Sequence, residues 1–234
     1  MGEAICPAGD KEMNQLGLPI SLNVQMSLAN FIANAQIQNA VDQLLNADIA
    51  SEVYVYGGTG SGKTHLLQAV IFSAMERNKA AVFVDCNEEI SDYLVEMVAD
   101  LDWLSIDNIA SIESAQQHLL FDLYNRARQS NVNIIVSGPS LPSELDMMKD
   151  IKTRLSLATV FQLEALNDEQ TKEALNNQMS ERNMSIDEKV YSYLFKHYSR
   201  DISLLLEAID RLDEASMQAK QSISIPLAKK ILDI

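Results

Sequence analysis

Eight consecutive residues carry the clearest chemistry in the chain. Gly57, Gly58, Thr59, Gly60, Ser61, Gly62, Lys63 and Thr64 match the pattern G-x-x-x-x-G-K-[ST] at every fixed position. Glycines let a loop close tightly enough for its backbone N–H groups to converge on phosphate oxygens, and a helix that starts at the loop adds the positive end of its dipole. Lys63 is then placed to reach the β- and γ-phosphates of a nucleotide, and Thr64 to offer its hydroxyl to Mg²⁺. His65 follows directly, where it lines the expected pocket with no assigned proton-transfer role. A second magnesium ligand is expected at Asp107, which closes the apolar run Trp103-Leu104-Ser105-Ile106. An acidic residue at a strand end also suits a turn or a helix cap, and it is the position downstream of the loop that favours the metal role.

These side chains need a scaffold that brings strand ends together, and the hydropathy pattern supplies one. Short apolar or β-branched runs at 53–56, 81–84, 104–107, 133–137 and 159–163 read as strands. Residues 63–77, 88–99 and 114–128 carry apolar positions at three- and four-residue spacing, as amphipathic helices do. Strand followed by helix, repeated, implies right-handed crossovers and a five-stranded parallel sheet with both faces covered. After Leu166 the strand signal stops, and helices are expected at 168–182, 187–198, 202–219 and 226–232. Asn167 or Asp168 suits the cap of the first, Asp187 that of the second, and Pro226 the opening turn of the last. The expected organisation is an N-terminal tail over 1–20, an α/β nucleotide-binding base over 21–165 and a small all-helical lid over 166–234.

Composition narrows the function. Asp and Glu number 33 against 18 Lys and Arg, a formal charge of -15. The averaged field therefore repels phosphate backbones, and direct specific DNA binding is not expected. No stretch approaches the roughly 18 to 20 uninterrupted apolar residues of a membrane span. No basic leader with an apolar run opens the sequence, so the cytoplasm is the expected compartment. Cys6 and Cys86 have neither metal-ligand spacing nor the look of a disulfide framework, and His118 and His197 lie in helical stretches without ligand partners.

From Gln15 onward the order of features resembles the AAA+ family of the bacterial initiator DnaA, and within it the short Hda branch of replication regulators. Besides the phosphate loop, the resemblance rests on Ser105-Ile106-Asp107-Asn108-Ile109, Phe121-Asp122-Leu123-Tyr124-Asn125-Arg126, Thr153-Arg154-Leu155 and the closing Ile225-Pro226-Leu227-Ala228-Lys229-Lys230-Ile231-Leu232. It implies an AAA+ P-loop NTPase fold, a bound ADP or ATP with Mg²⁺, and DnaA as partner. It also implies that Gln15, Leu16, Leu18, Pro19 and Ile20 form the extended peptide by which such proteins hold the DNA polymerase III beta sliding clamp. Pro19 would limit the ordering cost, while Leu18 and Ile20 would fill an apolar pocket.

By the same resemblance Arg154 is an arginine finger, presented to nucleotide held by a neighbouring subunit, where a fixed guanidinium stabilises charge on the transferred phosphoryl group. From spacing alone, a surface arginine in a weak ion pair with a residue such as Asp150 would be the better reading of Arg154. Ser137 corresponds to the polar sensor of the γ-phosphate. The family's second sensor arginine falls at Ser203, a departure for which Arg200 is the nearest cation, and this favours a diphosphate-bound working state. Many AAA+ ATPases carry a second carboxylate where this chain has Asn108, and an amide cannot take a proton from the attacking water. Slow or negligible intrinsic hydrolysis is therefore expected. DnaA continues past its lid into a basic DNA-binding domain, whereas this sequence stops at Ile234, so an adaptor and not an initiator is expected. The rival reading is a helicase loader or independent ATPase acting on single-stranded DNA; self-association is compatible with either.

Overall fold

The structure is a computed structural model that describes residues 26–28, 31, 41, 50–181, 186–199 and 202–234. Five strands, β1 (Glu52–Tyr56), β2 (Ala81–Asp85), β3 (Trp103–Asp107), β4 (Asn133–Gly138) and β5 (Thr159–Gln162), form one sheet in the order β2-β3-β4-β1-β5. Every pairing is parallel, as the alternation of strand and helix requires. Strands β1 to β4 are short and rich in apolar residues because both of their faces are largely buried, whereas the edge strand β5 is mostly exposed. Alternate residues enter two different cores. Tyr54, Val82, Val84, Leu104, Ile106, Ile134 and Val136 face one cluster, while Val53, Val55, Phe83, Trp103 and Ile135 face the other.

Helix α1 (Lys63–Glu76) covers the second cluster with Leu66, Leu67, Val70 and Ile71. Helix α2 is shorter than its expected span. It runs Asp92–Met97 and passes into a 3₁₀ turn, Val98–Asp100, while residues 88–91 stay outside it. Helix α3 (Gln117–Gln129) likewise begins three residues late, after a 3₁₀ turn at Ser114–Gln116. A seven-residue helix, α4 (Lys149–Leu155), has no counterpart among the expected elements. Only Ile151 and Leu155 are buried along it, too few apolar positions to register as a periodic signal.

Beyond β5 the elements among the described residues are helices: α5 (Asp168–Glu181), α6 (Glu188–His197), α7 (Ile202–Ala219) and α8 (Ile225–Leu232). They enclose a third apolar cluster of their own, centred on Leu175, Tyr191, Leu194, Leu205, Ile209 and Leu212. Two of their starts follow from sequence. The Asn167 side chain accepts from the Gln170 backbone N–H at 2.9 Å while Gln170 accepts from the Asn167 N–H at 3.1 Å, a reciprocal capping box. Asp187 caps α6 by accepting from Lys189 N–H at 2.8 Å. Among the described residues no helix is long and apolar enough to cross a membrane.

Candidate functional site

Parallel register gathers the site at the carboxyl ends of three adjacent strands. Val55 and Tyr56 on β1 pair with Ser137 and Gly138 on β4, and β3 lies on the other side of β4 with Asp107 at its end. The phosphate loop springs from β1 and ends in α1, whose cap residue Gly62 has φ 87°. Gly60 has φ 74°, and both positions use a left-handed conformation that an L side chain rarely adopts. Gly57 is required for a different reason. A Cβ there would lie 2.2 Å from the Leu163 carbonyl oxygen, because the loop passes directly against the chain leaving β5.

Lys63 turns its ammonium into this loop. It donates to the carbonyls of Gly57 at 2.9 Å and Gly58 at 2.8 Å, with Ser61 Oγ at 3.4 Å. Burial lowers its pKa below the ordinary lysine value, and the charge of Asp107 opposes that shift. The Thr64 hydroxyl donates to Asp107 Oδ2 at 2.6 Å, which sets the two expected magnesium ligands side by side. Asp107 is fully buried, and its other oxygen accepts from the Ser137 hydroxyl. Ser137 in turn accepts from the Asn108 backbone N–H at 3.1 Å. The expected sensor serine is therefore fastened to the carboxylate beside the loop.

A hydroxyl and a carboxylate are the hard oxygen donors that Mg²⁺ prefers, and this ion typically takes one or two protein carboxylates and completes its shell with water and phosphate. Among the described residues no group of three or more His, Cys, Asp or Glu forms a cage that could hold a metal without a nucleotide. The residues fit a nucleotide-borne Mg²⁺ held by Thr64 and Asp107.

His65 turns its ring toward Ser27, in the chain that precedes β1. Its Nε2 lies 3.0 Å from the Ser27 carbonyl, and since a carbonyl only accepts, that nitrogen carries the proton. Phe31 packs edge-on against the ring at 5.5 Å and lies 3.4 Å from where a Gly62 Cβ would project. Burial lowers the His65 pKa, so the ring is held neutral. A cleft of about 690 Å³ lies between Thr59 and Gly60 of the loop and the segment from Ala165 to Thr171, and Ile202 of α7 also lines it. Sequence reasoning named Asn167 and Asp168 as helix caps and assigned none of these lid-side residues to the site. The Asn167-to-Gln170 capping signature was the available clue, since it fixes α5 beside the loop.

Arg154 lies at the other end of the sheet. Helix α4 ends just before β5, which enters the sheet opposite Val53, while the phosphate loop leaves it past Tyr56. At about 3.3 Å per residue the four steps from Glu52 to Tyr56 separate the two ends of β1 by roughly 13 Å. Arg154 is half-buried and within electrostatic reach of Tyr124, whose hydroxyl donates to Glu52 at 2.8 Å. The carboxylate of Glu52 is already paired with Arg128 at 2.7 Å. Among the described residues Arg154 has no ion pair, with Asp150 or with any other. Residues 15–20 and Arg200 lie outside the described residues, as does the side chain of Ser203, the second residue of α7.

Sheet order, phosphate loop, strand-end carboxylate and helical lid define the AAA+ class of P-loop proteins. Sequence profiles sharpen that assignment: the bacterial DnaA ATPase domain matches residues 22–162, and the Hda lid domain matches residues 168–232. The chain belongs to the Hda/DnaA-related AAA+ family. It is similar to an uncharacterised protein of Haemophilus influenzae, with 30% identity over 229 residues that span 94% of this chain and 99% of that one. Its fold is similar to domain III of the Thermotoga maritima replication initiation protein DnaA, with TM-score 0.79 and 19% identity over 92% of this chain and 98% of that one. AMPPCP-bound DnaA from Aquifex aeolicus matches with TM-score 0.65 and 21% identity over 82% and 67% of the two chains.

Proposed function

We propose that this protein is a regulator of replication initiation: an ADP-bound adaptor that docks on the sliding clamp and stimulates ATP hydrolysis by DnaA through Arg154. Nucleotide binding rests on the cradle of Lys63, Thr64 and Asp107 and is supported by the AMPPCP carried by the related DnaA. Bound Mg²⁺ would neutralise phosphate charge, and the chain's own groups divide the remaining tasks. The loop amides and Lys63 orient the phosphates, and Thr64 and Asp107 hold the ion.

The observation that carries the adaptor reading is the position of Arg154. It stands at the sheet end remote from its own phosphate loop and has no partner for its charge among the described residues. A half-buried guanidinium in that setting is poised for an anion from another molecule, and the anion that suits a planar fork is a phosphate or carboxylate. Intrinsic hydrolysis is weak or absent on this reading, because Asn108 stands where a base would be needed. A reconstituted mixture of this protein, ATP-loaded DnaA and DNA-loaded clamp tests the whole scheme. ATP turnover should require all three components, and turnover by this protein alone, or turnover indifferent to the clamp, would favour the loader or independent ATPase instead.

A further inference from the structure

Asn108 has a second role that the missing base does not explain. Its side-chain nitrogen donates to Asp85 Oδ1 at 3.0 Å and lies 3.3 Å from Asp107 Oδ2. Asp85 and Asp107 are register partners at the ends of β2 and β3, so their backbones stand about 4.8 Å apart. Two carboxylates at that spacing repel each other, and one of them is fully buried. The primary amide is the side chain that resolves this, since its two N–H bonds share one nitrogen and can serve one carboxylate each.

We infer that Asn108 is a positioning residue that bridges Asp85 to the magnesium-site carboxylate, and that the amide at this position and the carboxylate at Asp85 form a matched pair. The inference rests on the reading of Asp107 as the metal carboxylate. The remaining donors fit the bridge. Asp85 is held by Asn87, whose backbone N–H lies at 3.0 Å and side-chain amide at 2.8 Å, so it is fixed in place to receive Asn108. Asp107 Oδ2 takes Thr64 on one side and Asn108 on the other.

The consequence runs against simple restoration of a base. Asn108 sits at φ 53°, a left-handed conformation that Asn and Asp both tolerate, so Asn108→Asp leaves the turn intact and changes only the chemistry. It would set a third carboxylate between two others. Hydrolysis would not be gained, and the metal site would be disturbed. Removing the opposing charge with Asp85→Asn should relieve the conflict.

The test is equilibrium titration of a fluorescent ADP with and without Mg²⁺, on the wild-type chain and on Asn108→Asp, Asp85→Asn/Asn108→Asp and Asp107→Asn, with thermal melting of each. Asn108→Asp should cut the Mg²⁺-dependent gain in ADP affinity by about tenfold or more, the scale of hydrogen bonds to a charged group. The double variant should recover it to within about threefold, and this rescue separates the bridge from a general folding defect. Undiminished Mg²⁺ dependence in Asn108→Asp, or no recovery in the double variant, would overturn the bridge. If Asp107→Asn also leaves Mg²⁺ dependence unchanged, the metal-site reading itself fails; if only that variant loses it, the bridge alone is wrong.

Discussion

The two ends of the parallel sheet treat charge in opposite ways. At the carboxyl end Thr64, Asp107, Asn108 and Ser137 hydrogen-bond one another, and Lys63 is held by the loop carbonyls of Gly57 and Gly58. At the amino end Glu52 is saturated by Tyr124 and Arg128, and Arg154 beside them is left with no ion pair among the described residues. Arg154 is only partly buried, so water still reaches its charge, and with no ion pair among the described residues it is free to meet an anion from another molecule. On the proposed function, the contrast separates two tasks: binding inside the subunit at one end and action on another molecule at the other.

Arg154→Ala should break that contrast most severely. Loss of an arginine finger costs roughly 10³ to 10⁵ in rate in known systems, so DnaA-dependent ATP turnover should fall by about 10³ while clamp binding, followed by gel filtration, stays intact. Lys63→Ala strikes the opposite end. A charge-assisted hydrogen bond is worth about 1.5 to 3 kcal/mol, and ADP affinity measured by calorimetry should drop by roughly 10- to 100-fold.

Tyr124→Phe probes whether the two ends are independent. It removes the 2.8 Å bond to Glu52 but leaves the Arg128 pair, and denaturant melts should show a loss of about 1 kcal/mol with unchanged ADP affinity. The smallest effect is expected from pH. Burial holds His65 below its ordinary pKa of 6.5, so below that value the unfolded chain binds more protons than the folded one. The stability tied to the neutral ring is therefore complete above about pH 6.5 and declines as pH falls through the window beneath it. His65→Gln, which keeps a donor for Ser27, should flatten that part of the melting profile.

Much of the carboxyl end was legible in the sequence because it is built from local rules. The glycines of the loop, Asp107 at a strand end and the five strands all follow from spacing and periodicity, and the structure places Thr64 against Asp107 across 43 residues of chain. What escaped depends on contacts between distant segments. Gly138 admits no side chain because a Cβ would meet the Tyr54 hydroxyl at 1.9 Å, and that hydroxyl is fixed by donating to Ser140. Asp85 reads as an ordinary strand end until register sets it beside Asp107. Helix α4, which carries Arg154, has too few buried apolar positions to announce itself, so the residue was legible through family resemblance and its isolation only through the fold. The start near residue 115 shifted because a 3₁₀ turn replaced the helical turn that periodicity suggests, and the start near residue 90 shifted because residues 88–91 stay irregular, with the Ile90 backbone bonded to the Gln116 side chain.

The direct test of the account is to ask which nucleotide Arg154 reaches. DnaA would be loaded with an ATP analogue whose γ-phosphate bears a photoreactive group, mixed with the ADP-bound protein and DNA-loaded clamp, and irradiated. The account requires label on this chain in the peptide containing Thr153 and Arg154. Label confined to DnaA, or found on this chain only in its own loop around Lys63, would contradict it.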